Sequence, residues 1–303
     1  MHLSVLICSH NPEPERLSRV LDGLRQQTAP RDLWELILID NNSAPPLSEI
    51  VELNWHQNAR IVVESLQGLT PARLRGIAEA AGDVLVFVDD DNILAPDFLE
   101  VCRSKAEQLP KMGVWGGHIE PEFESPPPVW TRPLWSYLAL REVRQDYYAN
   151  SLTATKAEPC GAGLCIRREA ALKYAQMVHS DPGRSALDRK GRELTSAGDT
   201  DMVWTTLAMG FGMAMFKDLR LTHIMPAWRL TEEYLVRLSE GLRFSHLVLR
   251  YQWKLPMHIP PRNLTWYLRY IYRYCTLWGR NRKFYMANVR AENRALQHIT
   301  GQL

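Results

Sequence analysis

The chain has 303 residues, a length that suits one large domain or one domain with an appendage. Its composition, 46% hydrophobic and 23% charged, is typical of a globular protein and excludes a disordered or fibrous chain. It contains no apolar run of about 18 residues and no signal-peptide pattern at its N-terminus, so we expect neither a membrane span nor a secretory leader. Five cysteines without C-x-x-C spacing indicate reduced thiols in the cytoplasm.

The net charge of +2 conceals an uneven distribution of charged residues. Residues 229–303 contain 13 Lys and Arg but only 4 Asp and Glu, a net charge of +9, which leaves −7 for the rest. We therefore predict two regions, 1–228 and 229–303, and expect the second to meet any anionic surface.

The first 120 residues alternate strand and helix signals. Short apolar runs predict strands at Leu3–Cys8, Leu36–Ile39, Arg60–Val63 and Val84–Val88. Three amphipathic helices are predicted between and after them, opening at Asn11-Pro12, at Thr70 (as N-cap, with Gly82 as the stop) and near Pro96. This rhythm predicts an α/β fold with a doubly wound, mostly parallel sheet.

Polar clusters follow three of the predicted strands. They are Cys8–Asn11, Asp40–Asn42 and Asp89–Asp91. Because ligands bind at the carboxyl ends of the strands in such sheets, we expect the clusters to share one functional edge. Three adjacent carboxylates after an apolar strand favour a hard cation, Mg²⁺ or Mn²⁺, holding a diphosphate. The alternative is a solvated acidic turn that caps the next helix.

Beyond residue 120 the pattern is less regular. Pro126–Pro128 predicts a stiff connector, and residues 159–163 predict a tight, glycine-kinked turn before a short strand. Residues 179–197 are polar and predict a long loop of the kind that serves as a functional lid. A helix is predicted from Gly198 through Gly210.

Six segments in this order resemble the inverting family-2 glycosyltransferases of the GT-A fold. They are VLICSHN, LILIDNNS, GLTPARLRGI, VFVDDDNILAPDFL, PCGAGLCIRREA and SAGDTDM. The likeness extends to about residue 228. It implies a Rossmann-like nucleotide-binding half and an acceptor half. The residues that follow predict a helical, basic and aromatic C-terminal extension.

The resemblance assigns roles by position. For the nucleoside of the donor, it implies Ser9 and Asn11 at the base, Asp40 at the base or the ribose, and Asp89 and Asp90 at the ribose. Arg73 would lie near the diphosphate, and Gly161 and Gly163 beside the sugar. Asp91 is implied as the ligand of Mn²⁺ or Mg²⁺. Leu74 departs from the family pattern, which has asparagine there.

Asp199 matches the catalytic carboxylate of the family, with Gly198 in place of the usual preceding glutamate. The resemblance implies that Asp199 is the general base. A helix N-cap is the alternative role for Asp199, and Asp201 is the second candidate base. His223 is predicted as a metal ligand or a diphosphate contact, with a packing residue as the alternative, and Arg229 as a phosphate contact.

The C-terminal region combines aromatic and basic residues. Residues 251–285 contain ten aromatic side chains interleaved with lysine and arginine. Such a segment favours an anionic membrane surface, or alternatively packs its aromatic rings on the catalytic domain. No nucleic-acid-binding motif accompanies it, so we expect no nucleic acid partner.

These patterns together predict a metal-dependent glycosyltransferase with a nucleotide-sugar donor, a UDP-sugar being favoured and GDP- or dTDP-sugars possible. The predicted acceptor is a glycan or a lipid-linked saccharide, reached from the inner face of the cell membrane by a cytoplasmic, peripheral enzyme. A sugar nucleotidyltransferase is one alternative, although the segment after the first strand, SHNPEPER, has no glycine to cradle a triphosphate. A non-catalytic, membrane-docked sugar-binding relative is the other.

Overall fold

The structure, a computed structural model, describes residues 1–189, 191 and 193–301. The strands of this part of the chain are β1 (Leu3–Ser9), β2 (Trp34–Asp40), β3 (Ala59–Val63), β4 (Val84–Asp89), β5 (Asn92–Leu94), β6 (Met112–Phe123), β7 (Tyr147–Ala149), β8 (Cys165–Arg167) and β9 (Gly212–Met225). The α-helices are α1 (Pro14–Arg25), α2 (Leu47–Ile50), α3 (Leu69–Glu79), α4 (Phe98–Gln108), α5 (Arg168–Ser180), α6 (Gly198–Ala208), α7 (Glu232–Gln252), α8 (Leu264–Thr276) and α9 (Gly279–Ile299).

The described strands form a single sheet in the order β3-β2-β1-β4-β8-β6-β9-β5, with β7 also paired to β9. Strands β1 to β4 are parallel to one another wherever they pair. Their register sets Ser9 opposite Asp40 and Cys8 opposite Asp89. The polar residues that follow β1, β2 and β4 therefore lie at one edge of the sheet, as the sequence predicts.

Helices cover both faces of the sheet because the parallel strands are apolar on both sides. In β1, Val5 and Ile7 belong to a core shared with α1 and α4, whereas Leu6 belongs to a second core shared with α3, α5 and α6. The same alternation holds in β2 and β4. This arrangement is the doubly wound layering that uninterrupted apolar strands predict.

Helix boundaries differ from the sequence prediction by a few residues. Helix α1 begins at Pro14 rather than at Asn11-Pro12, because the carboxylate of Glu13 accepts hydrogen bonds from the first-turn amides. Helix α3 begins at Leu69, so Thr70 is a buried helical residue instead of the N-cap. It ends at Glu79.

The predicted loop at 179–197 is partly helical. Helix α5 continues through Ser180, and a 3₁₀ helix spans Pro182–Leu187. Lys190 and Arg192, which belong to the same predicted loop, lie outside the described residues. The order in this segment matters for the site because it positions Asp188.

The C-terminal helices differ in how they pack. Leu235, Leu238 and Leu247 of α7 are buried in the two cores, and α9 packs along α7. By contrast, α8 has no buried residue. Helix α7 is thus joined to the body of the protein, and the boundary at residue 228 stays a prediction. No helix within the described residues is long and apolar enough to cross a membrane.

Candidate active site

A pocket of about 470 Å³ opens at the carboxyl edge of the parallel strands. Its lining comes from the ends of β1, β2, β4 and β9, the first turns of α3 and α6, and helix α7. Residues that line it include Cys8, Ser9, His10, Asn41, Arg73, Asp89, Asp90, Asp91, Gly161, Asp199, His223, Arg229, Tyr234 and Leu238. Segments distant in sequence thus meet where a doubly wound sheet binds its ligands.

Nine of the predicted site residues line this pocket. They are Ser9, Arg73, Asp89, Asp90, Asp91, Gly161, Asp199, His223 and Arg229. Asn11, Asp40 and Gly163 do not line it. Their assigned contacts with the donor stay predictions, and the structure shows another task for each.

Asp40 and Asn11 organise the loop that follows β2. The Asp40 carboxylate accepts hydrogen bonds from the amides of Ser43 at 2.9 Å and Leu47 at 2.8 Å. The Asn11 side-chain oxygen accepts one from the Ala44 amide at 2.8 Å. Hydrogen bonds from two amides, which outweigh burial, lower the pKa of Asp40. These two residues therefore hold the loop in place from opposite sides.

The two glycines of the predicted turn serve different purposes. Gly163 has a φ of +69°, and a Cβ at this position would overlap the side chain of Leu221 in β9. Gly161 lies in the pocket, where a Cβ would come within 2.7 Å of the Arg73 guanidinium. The absence of a side chain at 161 thus lets Arg73 lie against the backbone.

The aspartates after β4 carry charge that the pocket does not fully compensate. Burial, reinforced by the charge of Asp91, raises the pKa of Asp90 to about 6, although the Ser9 hydroxyl donates to its Oδ2 atom at 2.5 Å. Burial and the same neighbouring charge raise the pKa of Asp89. The ionised forms of Asp89 and Asp90 are therefore unfavourable in free energy, and added positive charge would stabilise them.

Asp91 is the exception in this cluster. Its Oδ2 atom lies 3.0 Å from a terminal nitrogen of Arg229 and 3.4 Å from Nε2 of His223. Burial alone would raise the pKa of Asp91, but the charges of His223 and Arg229 outweigh it and hold the pKa well below its usual range. The predicted metal ligands Asp91 and His223 are thus adjacent, and Arg229 contacts both of them.

The donor set fits a divalent cation in chemistry but only partly in arrangement. Carboxylates suit Mn²⁺ or Mg²⁺, and the buried Nδ1 of His223 has no hydrogen-bond partner among the described residues. Within that part of the chain, no three His, Cys, Asp or Glu side chains converge as a metal site. A cation that bound Asp91 would have to displace Arg229 from its Oδ2 atom.

Asp199 lies in the first turn of α6 with its carboxylate at the pocket. Its Oδ2 atom accepts a hydrogen bond from the Gly161 amide at 2.8 Å, and Oδ1 accepts one from the Thr200 amide at 2.9 Å. The N-cap of α6 is Ala197, so Asp199 is not the cap that the sequence offered as an alternative. The carboxylate is oriented by two amides and stays open to the pocket.

Asp201, the second candidate base, points elsewhere. It is fully buried, forms an ion pair with Arg184 and accepts a hydrogen bond from Nε1 of Trp253 at 2.7 Å. Asp201 does not line the pocket. Its contacts join α6 to the end of α7, so its position is that of a structural residue.

Asp188 is a site residue that the sequence analysis missed. Its buried carboxylate accepts hydrogen bonds from Arg73 at 2.9 Å, from Thr70 at 3.1 Å and from the Gly198 amide at 3.0 Å. A Cβ at Gly198 would overlap this carboxylate. The carboxylate of Asp188 therefore occupies the space that a side chain at position 198 would need. No local signal marks it, because it lies in an otherwise ordinary polar segment.

Three further residues in or beside the site were also missed. Burial and the charge of Asp199 raise the pKa of Glu158 to about 7. Tyr234 and Leu238 of α7 line the pocket, although they belong to the region predicted as an extension. The amphipathic pattern of α7 indicates a buried face but not which part of the molecule it meets.

The chain is similar to proteins of known families. Glycosyltransferase AglE of Haloferax volcanii is 33% identical over 92 residues, which cover 29% of this chain and 30% of that protein. Putative glycosyltransferase EpsH of Bacillus subtilis is 30% identical over 100 residues, which cover 32% and 28%. The match thus spans less than a third of either relative.

The fold resembles that of S. aureus TarS. The crystal structure of its residues 1–349 in complex with UDP-GlcNAc aligns with a TM-score of 0.54 and 15% identity, covering 82% of this chain and 67% of that one. This likeness confirms the predicted GT-A type of α/β fold with a helical C-terminal region.

The family prediction is also confirmed. The sequence profile described as Glycosyl transferase family 2 matches residues 4–174. Because this match covers more than half of the sequence, the chain belongs to glycosyl transferase family 2.

Proposed function

We propose that the chain is an inverting glycosyltransferase that moves a sugar from a nucleotide-sugar donor to a hydroxyl group of its acceptor. The observation that carries this function is the meeting of the aspartate cluster, the buried Arg73 and Asp199 in one pocket. A UDP-sugar is the favoured donor, with GDP- or dTDP-sugars as alternatives, because the structurally similar TarS fragment holds UDP-GlcNAc.

Asp199 is the general base in this reaction. It takes the proton of the acceptor hydroxyl while that oxygen forms a bond to the anomeric carbon of the sugar. The bond between this carbon and the nucleoside diphosphate breaks on the opposite face, which inverts the configuration. The amides of Gly161 and Thr200 orient the carboxylate, and its remaining lone pairs can accept the hydroxyl proton.

Two arginines would stabilise the leaving diphosphate. Arg73 is buried, fixed by Asp188 and faces the pocket, and Arg229 lies beside Asp91 in the same lining. Fixed positive groups of this kind lower the free energy of a transition state in which negative charge develops on the leaving group.

Mn²⁺ or Mg²⁺ is the proposed cofactor, and Asp91 and His223 are the residues that would hold it. Such a cation supplies Lewis-acid stabilisation of diphosphate oxygens. In isothermal titration we expect Asp91→Asn to weaken Mn²⁺ binding at least about tenfold and Arg229→Gln to strengthen it, because the guanidinium no longer competes for Oδ2. Asp22→Asn, which changes a solvent-accessible side chain of α1, is the control. Equal Mn²⁺ affinity in wild type and Asp91→Asn would contradict the site.

The proposed acceptor is a glycan or a lipid-linked saccharide, met by a cytoplasmic, peripheral enzyme at the inner face of the cell membrane. The net charge of +9 in residues 229–303 supports this location, since basic segments are attracted to the anionic cytoplasmic leaflet. The contribution of Tyr234 and Leu238 to the pocket brings the same region next to the reaction site.

A panel of nucleotide sugars tests the function. A donor at 100 times its Kd should stabilise the fold by about 2.7 kcal/mol in thermal unfolding with Mn²⁺. The transferase releases nucleoside diphosphate, whereas a sugar nucleotidyltransferase would consume a nucleoside triphosphate and release pyrophosphate. Stabilisation by no nucleotide sugar, or pyrophosphate release instead, would overturn the proposal, and binding without transfer or hydrolysis would indicate a non-catalytic relative.

A further inference from the structure

Helix α8 is the part of the described chain whose apolar side chains are least covered. None of its 13 residues is buried. Six of its large apolar and aromatic residues are exposed: Leu264 (75%), Tyr267 (52%), Leu268 (60%), Ile271 (56%), Tyr272 (65%) and Tyr274 (46%). Trp278, just after the helix, is 76% exposed. An apolar surface of this kind marks an interaction site.

These side chains lie on one side of the helix. Positions 264, 267, 268 and 271 follow the spacing i, i+3, i+4, i+7 of a single helical face. A different face, with Trp266 stacked on Tyr270 at 5.3 Å, turns toward α9, where Tyr270 meets Tyr285. The helix is therefore held by one face while a second, apolar face stays uncovered.

The charged residues in the segment of the chain that contains α8 are all basic. Residues 241–291 contain ten Lys and Arg and no Asp or Glu. Arg269 and Arg273 of α8 are exposed and have no ion pair within the described chain. Two copies that met through this surface would bring like charges together, so the charge disfavours a second copy as its partner.

We propose that α8 docks on an anionic phospholipid membrane, with the side chains of Leu264, Leu268 and Ile271 inserted among the lipids. An interfacial helix combines an apolar face, basic residues that meet the headgroups, and Tyr and Trp side chains at the boundary. Helix α8 has all three. Membrane docking is separate from the transferase reaction. Its purpose, to bring the pocket to a membrane-borne acceptor, rests on the proposed function.

Side-chain contacts connect the end of α8 to elements that line the pocket. Directly after α8, Arg280 lies 3.7 Å above the ring of Trp130 and pairs with Glu232 at the start of α7. Trp130 belongs to the 3₁₀ helix Val129–Leu138, whose end lines the pocket, and so does α7. Docking of α8 would thus fix the orientation of the pocket relative to the bilayer.

Co-sedimentation of the full chain with vesicles tests the inference. We expect binding to phosphatidylcholine vesicles that contain phosphatidylglycerol, little binding to phosphatidylcholine alone, and weakening by salt. Arg269→Gln with Arg273→Gln should reduce affinity about tenfold or more, since each basic residue near the surface contributes roughly fivefold. Leu268→Gln with Ile271→Gln should reduce it by a similar factor.

A matched control changes exposed apolar residues elsewhere. Leu66→Gln with Val129→Gln removes side chains that are 62% and 90% exposed and should leave vesicle binding unchanged. Equal binding of wild type and both α8 variants would overturn the inference, as would a wild-type dimer, seen by sedimentation equilibrium, that Leu268→Gln with Ile271→Gln dissociates. Donor binding measured on the same variants should not change, so failure of membrane docking is distinguishable from failure of the proposed activity.

Discussion

The carboxylates around the first turn of α6 and those at the end of β4 are neutralised in different ways. Near α6, Asp188 is paired with Arg73, and Asp201 is paired with Arg184. At the end of β4, only Asp91 has an ion pair within the described residues, and the pKa values of its two neighbours are raised.

The difference separates aspartates that hold the backbone of the site in place from aspartates whose charge the protein leaves uncompensated. Pairing inside the protein fixes Asp188 and Asp201, and through them the backbone that carries Asp199. The aspartates at β4 are left with uncompensated charge, a state that folding tolerates only at a cost in stability. Such a cost is expected where a cation or a donor molecule completes the charge balance.

The strongest test of this distinction is Asp199→Asn. Loss of a general base lowers the rate typically about 10²–10⁴-fold, so we expect at least a hundredfold slower sugar transfer. Asparagine keeps one acceptor for the two amides that orient Asp199, and stability should fall by only about 1 kcal/mol. Initial rates and donor affinity check the slower transfer, and thermal unfolding of the same preparation checks the small loss of stability.

The paired variant Asp201→Asn is the control for that experiment. It should transfer sugar at nearly the wild-type rate, because Asp201 does not line the pocket. Normal turnover in Asp199→Asn with loss of transfer in Asp201→Asn would place the base two residues later. Normal turnover in both would exclude the inverting mechanism proposed for Asp199.

Asp201→Ala should affect stability rather than rate. Removal of this carboxylate leaves the buried Arg184 without its closest partner and the Trp253 indole N–H without its acceptor. We expect a loss of about 3 kcal/mol in urea unfolding. Burial outweighs the charge of Arg184 and raises the pKa of Asp201, so the ionised form is not strongly stabilised. Asp201→Asn, which removes only the charge, should therefore lower the free energy of unfolding less than Asp201→Ala does. An equal loss in the two variants would contradict this account.

The sequence predicts the parallel half of the sheet well for a physical reason. Strands β1, β2 and β4 are continuous apolar runs because helices cover both of their faces, and such runs have few other interpretations. Once the strands are known, the common edge of their carboxyl ends follows from topology. The sequence alone therefore predicts that Ser9 and Asp89–Asp91 lie close together.

The partners of these residues could not be predicted in the same way. Arg73 pairs with Asp188, 115 residues away, and Asp91 with Arg229, and neither pairing leaves a local pattern. Helix α7 likewise shows its apolar face in the sequence but not its contact with the pocket. Long-range pairing of single side chains depends on loop paths that periodicity does not encode.

The smallest expected effect concerns Asp90, whose raised pKa has a direct consequence for stability. An unfolded aspartate has a pKa of about 4, and the folded value is about 6. Between these values the native state binds more protons than the unfolded state, so this group makes stability fall as the pH rises.

Asp90→Asn keeps an acceptor for the Ser9 hydroxyl but has no charge to desolvate. We expect the variant to be more stable than wild type at about pH 7.5, by about 1–3 kcal/mol, and similar to it near pH 4. Urea unfolding at both pH values measures this difference, with Asp22→Asn, which changes a solvent-accessible side chain of α1, as the control. If wild type and Asp90→Asn differ by the same amount at both pH values, the aspartates at β4 are compensated as fully as those near α6, and the contrast between the two regions does not hold.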